Sequence, residues 1–268
     1  MTIAFPNIDP VIFSFGDTPF KITWYSLSYV AGILLSWSYI KYLNKTGLLA
    51  PLKDKNIDDL ITSLIVGIVV GGRLGYVIFY DLAYNLENPL NIMRTWEGGM
   101  SFHGGLLGVI IAAFIYCRIN KIKYFQVMDL LALATPIGLF FGRIANFINA
   151  ELWGRYTDAA WGVVFPGQTE ARHPSQIYEA ATEGLLLFII LFTLFRYTKI
   201  QRYSGMTSGV FLLFYALFRG LIENYRQPDE QIGFVIAEIT MGQLLSLPMI
   251  IAGAILVIYS IANKKNEN

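Results

Sequence analysis

Seven stretches of roughly 20 mostly apolar residues run through this chain, at 22–39, 57–80, 101–118, 127–149, 174–197, 205–226 and 235–262. Each is long enough to cross about 30 Å of hydrocarbon at the helical rise of about 1.5 Å per residue. The composition agrees, being 55% hydrophobic and only 15% charged, which fits a polytopic membrane protein far better than a soluble domain. The expected fold is therefore all-α and integral to the membrane, a seven-transmembrane-helix bundle forming one domain over residues 1–268. Residues 1–21 carry Asp9, Asp17 and several prolines without the cationic start of a cleavable signal peptide, so this segment is expected to remain on the mature protein.

Basic residues alternate between the loops. One side collects Lys41, Lys45, Lys53, Lys55, Arg118, Lys121, Lys123, Arg196, Lys199, Arg202, Lys264 and Lys265, and the other only Lys21, Arg94, Arg155, Arg172 and Arg226. The positive-inside rule then puts the N-terminus outside and the C-terminus in the cytoplasm. The longer outer loops, 81–100 and 150–173, are expected to form a small extracytoplasmic cap. A net charge of +1 argues against nucleic acid as a partner and leaves the lipid bilayer as the environment. The lone cysteine, Cys117, cannot form an internal disulfide and reads as a passive hydrophobe.

Three arginines remain, all inside apolar stretches: Arg73, Arg143 and Arg219. A charged side chain at the bilayer centre costs about 2.5–3.5 kcal/mol on insertion scales, so each is a functional candidate. Stretches two, four and six all run outward, and counting from their cytoplasmic ends puts the three at roughly 21–24 Å in a core of about 30 Å. That shared level, in the outer half, is where an outer-leaflet lipid carries its glycerol and phosphate. Gly67, Gly71 and Gly75, with Gly104/Gly108, Gly138/Gly142 and Gly205/Gly209, give small-xxx-small faces that let helices close around such a site, although packing alone explains most of them.

On a continuing helix Arg143, Asn146 and Asn149 share one sector, followed by Glu151 and Gly154. An arginine can hold a phosphate through two parallel hydrogen bonds, with asparagine amides adding donors and acceptors; the alternative is a polar cluster that ties helices together. Tyr215, Arg219 and Glu223 follow i, i+4, i+8 along one face, and Glu223 alternatively just neutralises Arg219. Arg73 has no such companions and can equally be a structural counter-charge. His103 lies in Gly98-Gly99-Met100-Ser101-Phe102-His103-Gly104-Gly105, where a histidine can exchange protons near neutral pH and glycines admit close approach; a satisfied interfacial histidine is the plainer reading. His173 opens Arg172-His173-Pro174-Ser175-Gln176-Ile177-Tyr178-Glu179, with Pro174 suited to a first helical turn. Glu179 and Glu183 then need partners such as the intramembrane arginines. Two distant histidines and one cysteine make a poor metal set, and no phosphate-cradling glycine loop, catalytic triad of the soluble type or redox motif stands out.

Gly142-Arg143-x-x-Asn146-Phe147-Ile148-Asn149-x-Glu151-x-x-Gly154 resembles the signature of bacterial prolipoprotein diacylglyceryl transferases. The His103-Gly104-Gly105 block, the Arg172 to Glu179 segment and the Tyr215-Arg219-Glu223 face are similar to that family too. The resemblance implies seven spans with the N-terminus outside, a bacterial plasma (inner) membrane location with the active site toward the outer leaflet, and a transfer that needs no cofactor. The diacylglyceryl group of phosphatidylglycerol would pass to the lipobox cysteine thiol in the signal peptide of a preprolipoprotein, giving a thioether and glycerol 1-phosphate. It implies His103, Arg143 and Arg219 as catalytic residues, with Arg143, Asn146, Glu151, Gly154, Tyr215, Arg219 and Glu223 around the phospholipid and Arg73, His173 and Glu179 in support. Two other classes stay in view. A transporter or flippase should carry polar groups right across the membrane, whereas the inner halves of these stretches have few, and a structural scaffold leaves three buried arginines without a purpose.

Overall fold

The structure, a computed structural model, describes residues 2–6, 8–16, 21–46, 52, 54–228, 234–236 and 239–266. Asp17, Lys53, residues 237–238 of the seventh apolar stretch and the side chains of Lys264 and Lys265 lie outside the described residues. The helices are α1 (Trp24–Lys45), α2 (Asp54–Tyr80), the short α3 (Leu82–Glu87), α4 (Phe102–Asn120), α5 (Tyr124–Ile148), α6 (Ser175–Glu179), α7 (Leu187–Tyr197), α8 (Met206–Ile222) and α9 (Met241–Asn266). A π-helical stretch, Ala180–Leu186, joins α6 to α7 without a break. Among the described residues, five helices are long and apolar enough to cross a membrane: Lys55–Tyr80, Phe102–Asn120, Tyr124–Ile148, Ser175–Tyr197 and Met241–Asn263. Met206–Ile222 is apolar but shorter, and α1, at 22 residues, is interrupted by serines and by Lys41 and Asn44. The architecture is that of an integral membrane protein built from helices.

Helix bounds differ from the apolar stretches where the chain has other work. The sixth stretch was expected to run to residue 226, but α8 stops at Ile222 and Arg226 forms an isolated bridge with Gly154. Similarly, the seventh stretch opens with an extended segment, Phe234–Ile236, before α9 begins. Between α2 and α4 the loop is not featureless, since α3 is followed by two 3-10 turns, Pro89–Met93 and Thr95–Glu97.

The chain divides into two compact units, residues 40–128 and residues 1–39 with 129–268. In the first, α2 and α4 meet along the expected glycines. A Cβ on Gly71 would collide with the Gly104 carbonyl and one on Gly108 with the Gly67 carbonyl, so the backbones themselves are in contact, as small-xxx-small faces allow in lipid. Ser101 caps α4, accepting from the Gly104 N–H at 3.2 Å. Cys117 is buried and free.

In the second unit, α8 is anchored at its start by a side chain from α5. The buried Asp129 carboxylate accepts from the backbone N–H groups of Gly205 (2.7 Å) and Ser208 (2.8 Å) and from the Ser208 hydroxyl (2.8 Å). It satisfies donors that a helix N-terminus leaves open, with the sign of charge that the helix dipole favours. Gly209 packs on the Gly253 carbonyl of α9, and Gly184 on Phe140 of α5. A Cβ on Gly138 or Gly142 would meet open space, although one on Gly32 of α1 would lie 3.2 Å from the Gly138 Cα, so α1 comes close to α5 at Gly138.

Candidate active site

Three arginines and three glutamates meet at the ends of α5, α6 and α8. Glu179, fully buried on α6, is the hub: one of its oxygens lies 2.8 Å from Arg143 Nε and 3.0 Å from Arg219 Nη1, and the other 3.5 Å from Arg226 Nη1. Glu183, also fully buried, stands further off, 3.9 Å from Arg143 Nη2 and 3.8 Å from Arg219 Nη1. Arg219 reaches down its own helix to Glu223 at 2.9 Å, the i, i+4 pairing that the sequence spacing predicts. Room for the Glu223 carboxylate comes from Gly242 of α9, where any Cβ would sit 2.6 Å from it. Buried charges persist only when paired and hydrogen-bonded, and the guanidiniums supply that pairing. Arg143 and Arg219 nevertheless keep 19% and 15% of their side chains exposed, so both remain open to a ligand on one side.

Beyond α5 the chain turns sharply. Asn149 continues the helical hydrogen bonding, donating its N–H to Ala145 O, and then Ala150 and Leu152 take left-handed backbone angles with φ of 52° and 57°. The turn brings Glu151 back to α5, where its Oε1 accepts from Asn146 Nδ2 at 2.7 Å while Asn146 Oδ1 lies 3.5 Å from Arg143 Nη1. Gln176, fully buried on α6, donates to the Glu151 carbonyl at 2.6 Å. A cavity of about 480 Å³ opens beside this turn, lined by Pro10, Thr23, Tyr25, Asn149 and Glu151. Its volume lies in the range of small-molecule sites.

Gly154 closes the turn by backbone contact. Its N–H bonds to His173 O at 2.8 Å, its carbonyl accepts from Arg172 Nη1 at 3.1 Å, and a Cβ would lie 2.5 Å from Tyr225 O and 2.6 Å from His173 O. Arg172 is held in turn by the Tyr156 ring, 3.9 Å from its guanidinium carbon. Because neither carbonyl can retreat without breaking these bonds, Gly154→Ala is expected to lower stability by about 1–3 kcal/mol through overpacking. Thermal unfolding of the purified variant checks this, and an unchanged midpoint would contradict it.

Arg143, Asn146, Glu151, Glu179, Arg219 and Glu223 thus come together as one network, with Tyr215 one turn before Arg219 and stacked on Phe211. His173 lies outside the ion cluster, where its Nδ1 is paired with the Tyr178 hydroxyl at 3.1 Å and burial pushes its pKa down. Two candidates belong to the unit of residues 40–128. Arg73 gives its guanidinium to loop carbonyls: Nε to Ile92 O at 2.9 Å, Nη1 to Gly98 O at 2.8 Å and Gly99 O at 3.2 Å, and Nη2 to Asn91 O. Gly98 and Gly99 adopt φ of 91° and 74° to present those carbonyls, which glycine does without strain. His103 is exposed in the first turn of α4, its ring edge-on to Phe102 and without a hydrogen bond among the described residues. The residues that sequence reasoning did not single out for the site are Arg226, Gln176 and Tyr25. Two polar side chains in or beside apolar runs were the available signals for Gln176 and Tyr25, and Arg226 had none.

Apolar helices that carry a network of arginines and glutamates, with an open cavity at Glu151, define a polytopic membrane protein with a charged internal centre. A family model described as prolipoprotein diacylglyceryl transferase matches residues 10–259. The chain is 52% identical over 261 residues to a phosphatidylglycerol–prolipoprotein diacylglyceryl transferase of Rickettsia felis, covering 96% of this chain and 99% of that one. Similar relatives with the same name occur in Rickettsia canadensis (52% over 261 residues, 96% and 99% covered) and Rickettsia typhi (51% over 255 residues, 94% and 96%). The chain belongs to the prolipoprotein diacylglyceryl transferase family.

Proposed function

We propose that this chain transfers the diacylglyceryl group of phosphatidylglycerol to the lipobox cysteine of preprolipoproteins, the first step of lipoprotein maturation. The observation that carries this reading is the partly open pair of arginines, Arg143 and Arg219, in a chain of this family, with Arg143 linked through Asn146 to Glu151 on the wall of a cavity. In the reaction the cysteine sulfur forms a bond to the glyceryl carbon as the carbon–oxygen bond to phosphate breaks. The thiol proton passes to a base, and glycerol 1-phosphate leaves. The thiolate is the nucleophile and a free thiol has a pKa of about 8.5, so a nearby base assists attack. Negative charge grows on the departing phosphate, and donors fixed in advance at that position lower the barrier; Arg143 and Arg219 take this role. Asn146, Glu151, Tyr215 and Glu223 orient them and the head group, Gly154 fixes the turn, and Glu179, His173 and Arg73 act in support. The nucleophile belongs to the substrate, so neither a reactive cysteine nor a cofactor is required of this chain.

His103 is the proposed proton acceptor, supported by its exposure at the start of α4 and by the proton exchange that imidazole performs near neutral pH. His103→Gln is expected to fold and bind lipid yet lose about 10²- to 10⁴-fold in turnover, the usual contribution of general acid–base catalysis. Wild-type turnover in this variant across the pH range would move the base elsewhere. The defining assay incubates purified protein with phosphatidylglycerol and a lipobox peptide and scores the diacylglyceryl adduct on cysteine by mass spectrometry. Absence of the adduct under conditions where a Rickettsia relative forms it would overturn the reading.

In this reading the chain is one membrane domain of seven spans in the bacterial inner membrane, N-terminus outside, with the site open to the outer leaflet. The alternation of basic loops supports that orientation. Cysteines introduced beside His103 and Asn149 should react with an impermeant thiol reagent from outside, and native Cys117 should not. Labelling of those positions only from the cytoplasmic side would reverse the topology.

A further inference from the structure

We propose that Glu183 is a positioning residue of the transfer, a carboxylate that takes up a proton when the phosphodiester of phosphatidylglycerol settles on Arg143 and Arg219 and gives it back when the phosphate leaves. Glu183 touches no substrate in this scheme, which rests on the transferase reading of the site. It acts through the two arginines.

The carboxylates of this centre are not equivalent. Glu179 holds guanidinium nitrogens at 2.8, 3.0 and 3.5 Å, Glu223 holds Arg219 Nη2 at 2.9 Å, and Glu151 accepts from Asn146 Nδ2 at 2.7 Å. Glu183 is as buried as Glu179, with no exposed side-chain surface, yet neither of its oxygens has a hydrogen-bond partner among the described residues. Arg219 Nη1 and Arg143 Nη2 stand 3.8 and 3.9 Å away, too far to donate. Attraction between charges alone holds this carboxylate, whereas the others also have close nitrogen donors. The groups that face it are Glu179 of α6, Arg143 of α5, Tyr215 and Arg219 of α8, and Arg226 just beyond α8.

An arriving phosphodiester upsets the balance of charge. Arg143, Arg219 and Arg226 bring three positive charges to the three negative ones of Glu179, Glu183 and Glu223, so a bound monoanion leaves one negative charge in excess. A buried charge that loses its compensation is neutralised instead. Hydrogen bonds to an ionised carboxylate favour that form, so the proton goes to the carboxylate that accepts none, which is Glu183. Once neutral, it no longer competes for Arg143 Nη2 and Arg219 Nη1, and both can turn to the phosphate. Glu183 also lies on the π-helical stretch Ala180–Leu186, and such stretches are frequent at functional sites. The step is a proton exchange only: the proton comes from water on binding and returns to water after glycerol 1-phosphate departs.

The test measures binding of dihexanoyl phosphatidylglycerol to the full chain in dodecyl maltoside, by calorimetry in buffers of different ionisation enthalpy, which counts the protons taken up. Uptake approaching one proton per lipid is expected, in the wild type and equally in His103→Gln. Over the pH range in which Glu183 is ionised in the free protein and protonated in the occupied one, Kd should rise about tenfold per pH unit, because binding then requires a proton that the free protein does not hold. Glu183→Gln, neutral at every pH, should bind without uptake, with Kd and KM flat across pH and kcat changed less than KM. No uptake in the wild type overturns the proposal whether or not the variant folds. So does uptake that survives in Glu183→Gln, or that disappears from a His103→Gln, Glu151→Gln or Glu223→Gln protein that still binds the lipid. Formation of the cysteine adduct together with pH-independent binding overturns the role of Glu183 alone, whereas absence of both binding and adduct overturns the transferase reading with it.

Discussion

Arg143→Ala is expected to reduce diacylglyceryl transfer by at least about 10²- to 10³-fold, the scale of losing one fixed donor at a developing oxyanion. Arg143 uses different edges of its fork at once: Nε on Glu179, Nη1 toward Asn146 and Nη2 toward Glu183. Arg143→Lys keeps the charge but offers only a point donor in place of a planar fork. It should therefore remain severely impaired, closer to alanine than to wild type. Turnover of phosphatidylglycerol and a lipobox peptide, normalised to inserted protein, measures both variants. Near-normal transfer by the alanine variant would remove Arg143 from the chemistry and leave it as a tie between α5 and α6.

Glu179→Ala is expected to be the most destabilising single change in the cluster, by about 3–5 kcal/mol, because removing one partner of a buried pair strands the other. Here three guanidiniums lose their common acceptor. Glu183, with longer contacts and neither oxygen hydrogen-bonded among the described residues, should cost clearly less when changed to Gln. Thermal or denaturant unfolding in detergent orders the two variants. A Glu179→Ala protein as stable as Glu183→Gln would mean that the hub is not where the stabilisation resides.

Local spacing made much of this centre legible. Tyr215, Arg219 and Glu223 share a helical face by arithmetic, and two glutamates inside an apolar run demanded cationic partners, which Arg143 and Arg219 supply. What stayed hidden depends on pairing between distant segments. Arg226 reads as an ordinary loop cation until the Gly154–Arg226 bridge folds it back onto Glu179. The same applies to Arg73, whose partners are carbonyls of a loop 18–26 residues further on, and backbone acceptors leave no mark in a sequence. Asp129 is a charge within an apolar stretch that sequence reasoning passed over, and only its contact with Gly205 and Ser208, 76 and 79 residues away, reveals a helix cap. Helix ends were blurred for a related reason, because hydropathy does not register where the backbone leaves its hydrogen-bonding pattern, as it does after Ile222.

The π-helical stretch Ala180–Leu186 gives this region slack in length that its neighbours lack. Wider winding with i→i+5 bonding holds one residue more than an α-helix turning through the same angle, so loss of one residue there would return the segment to α-helical winding with the downstream phase kept. Leu187, Leu191 and Phe195 would stay buried and Ile189 exposed. A residue lost from α7 itself meets no such reserve and would turn everything beyond it by about 100°. The phase between the charged hub and the hydrocarbon-facing stripe thus tolerates a deletion at the π stretch and not one after it.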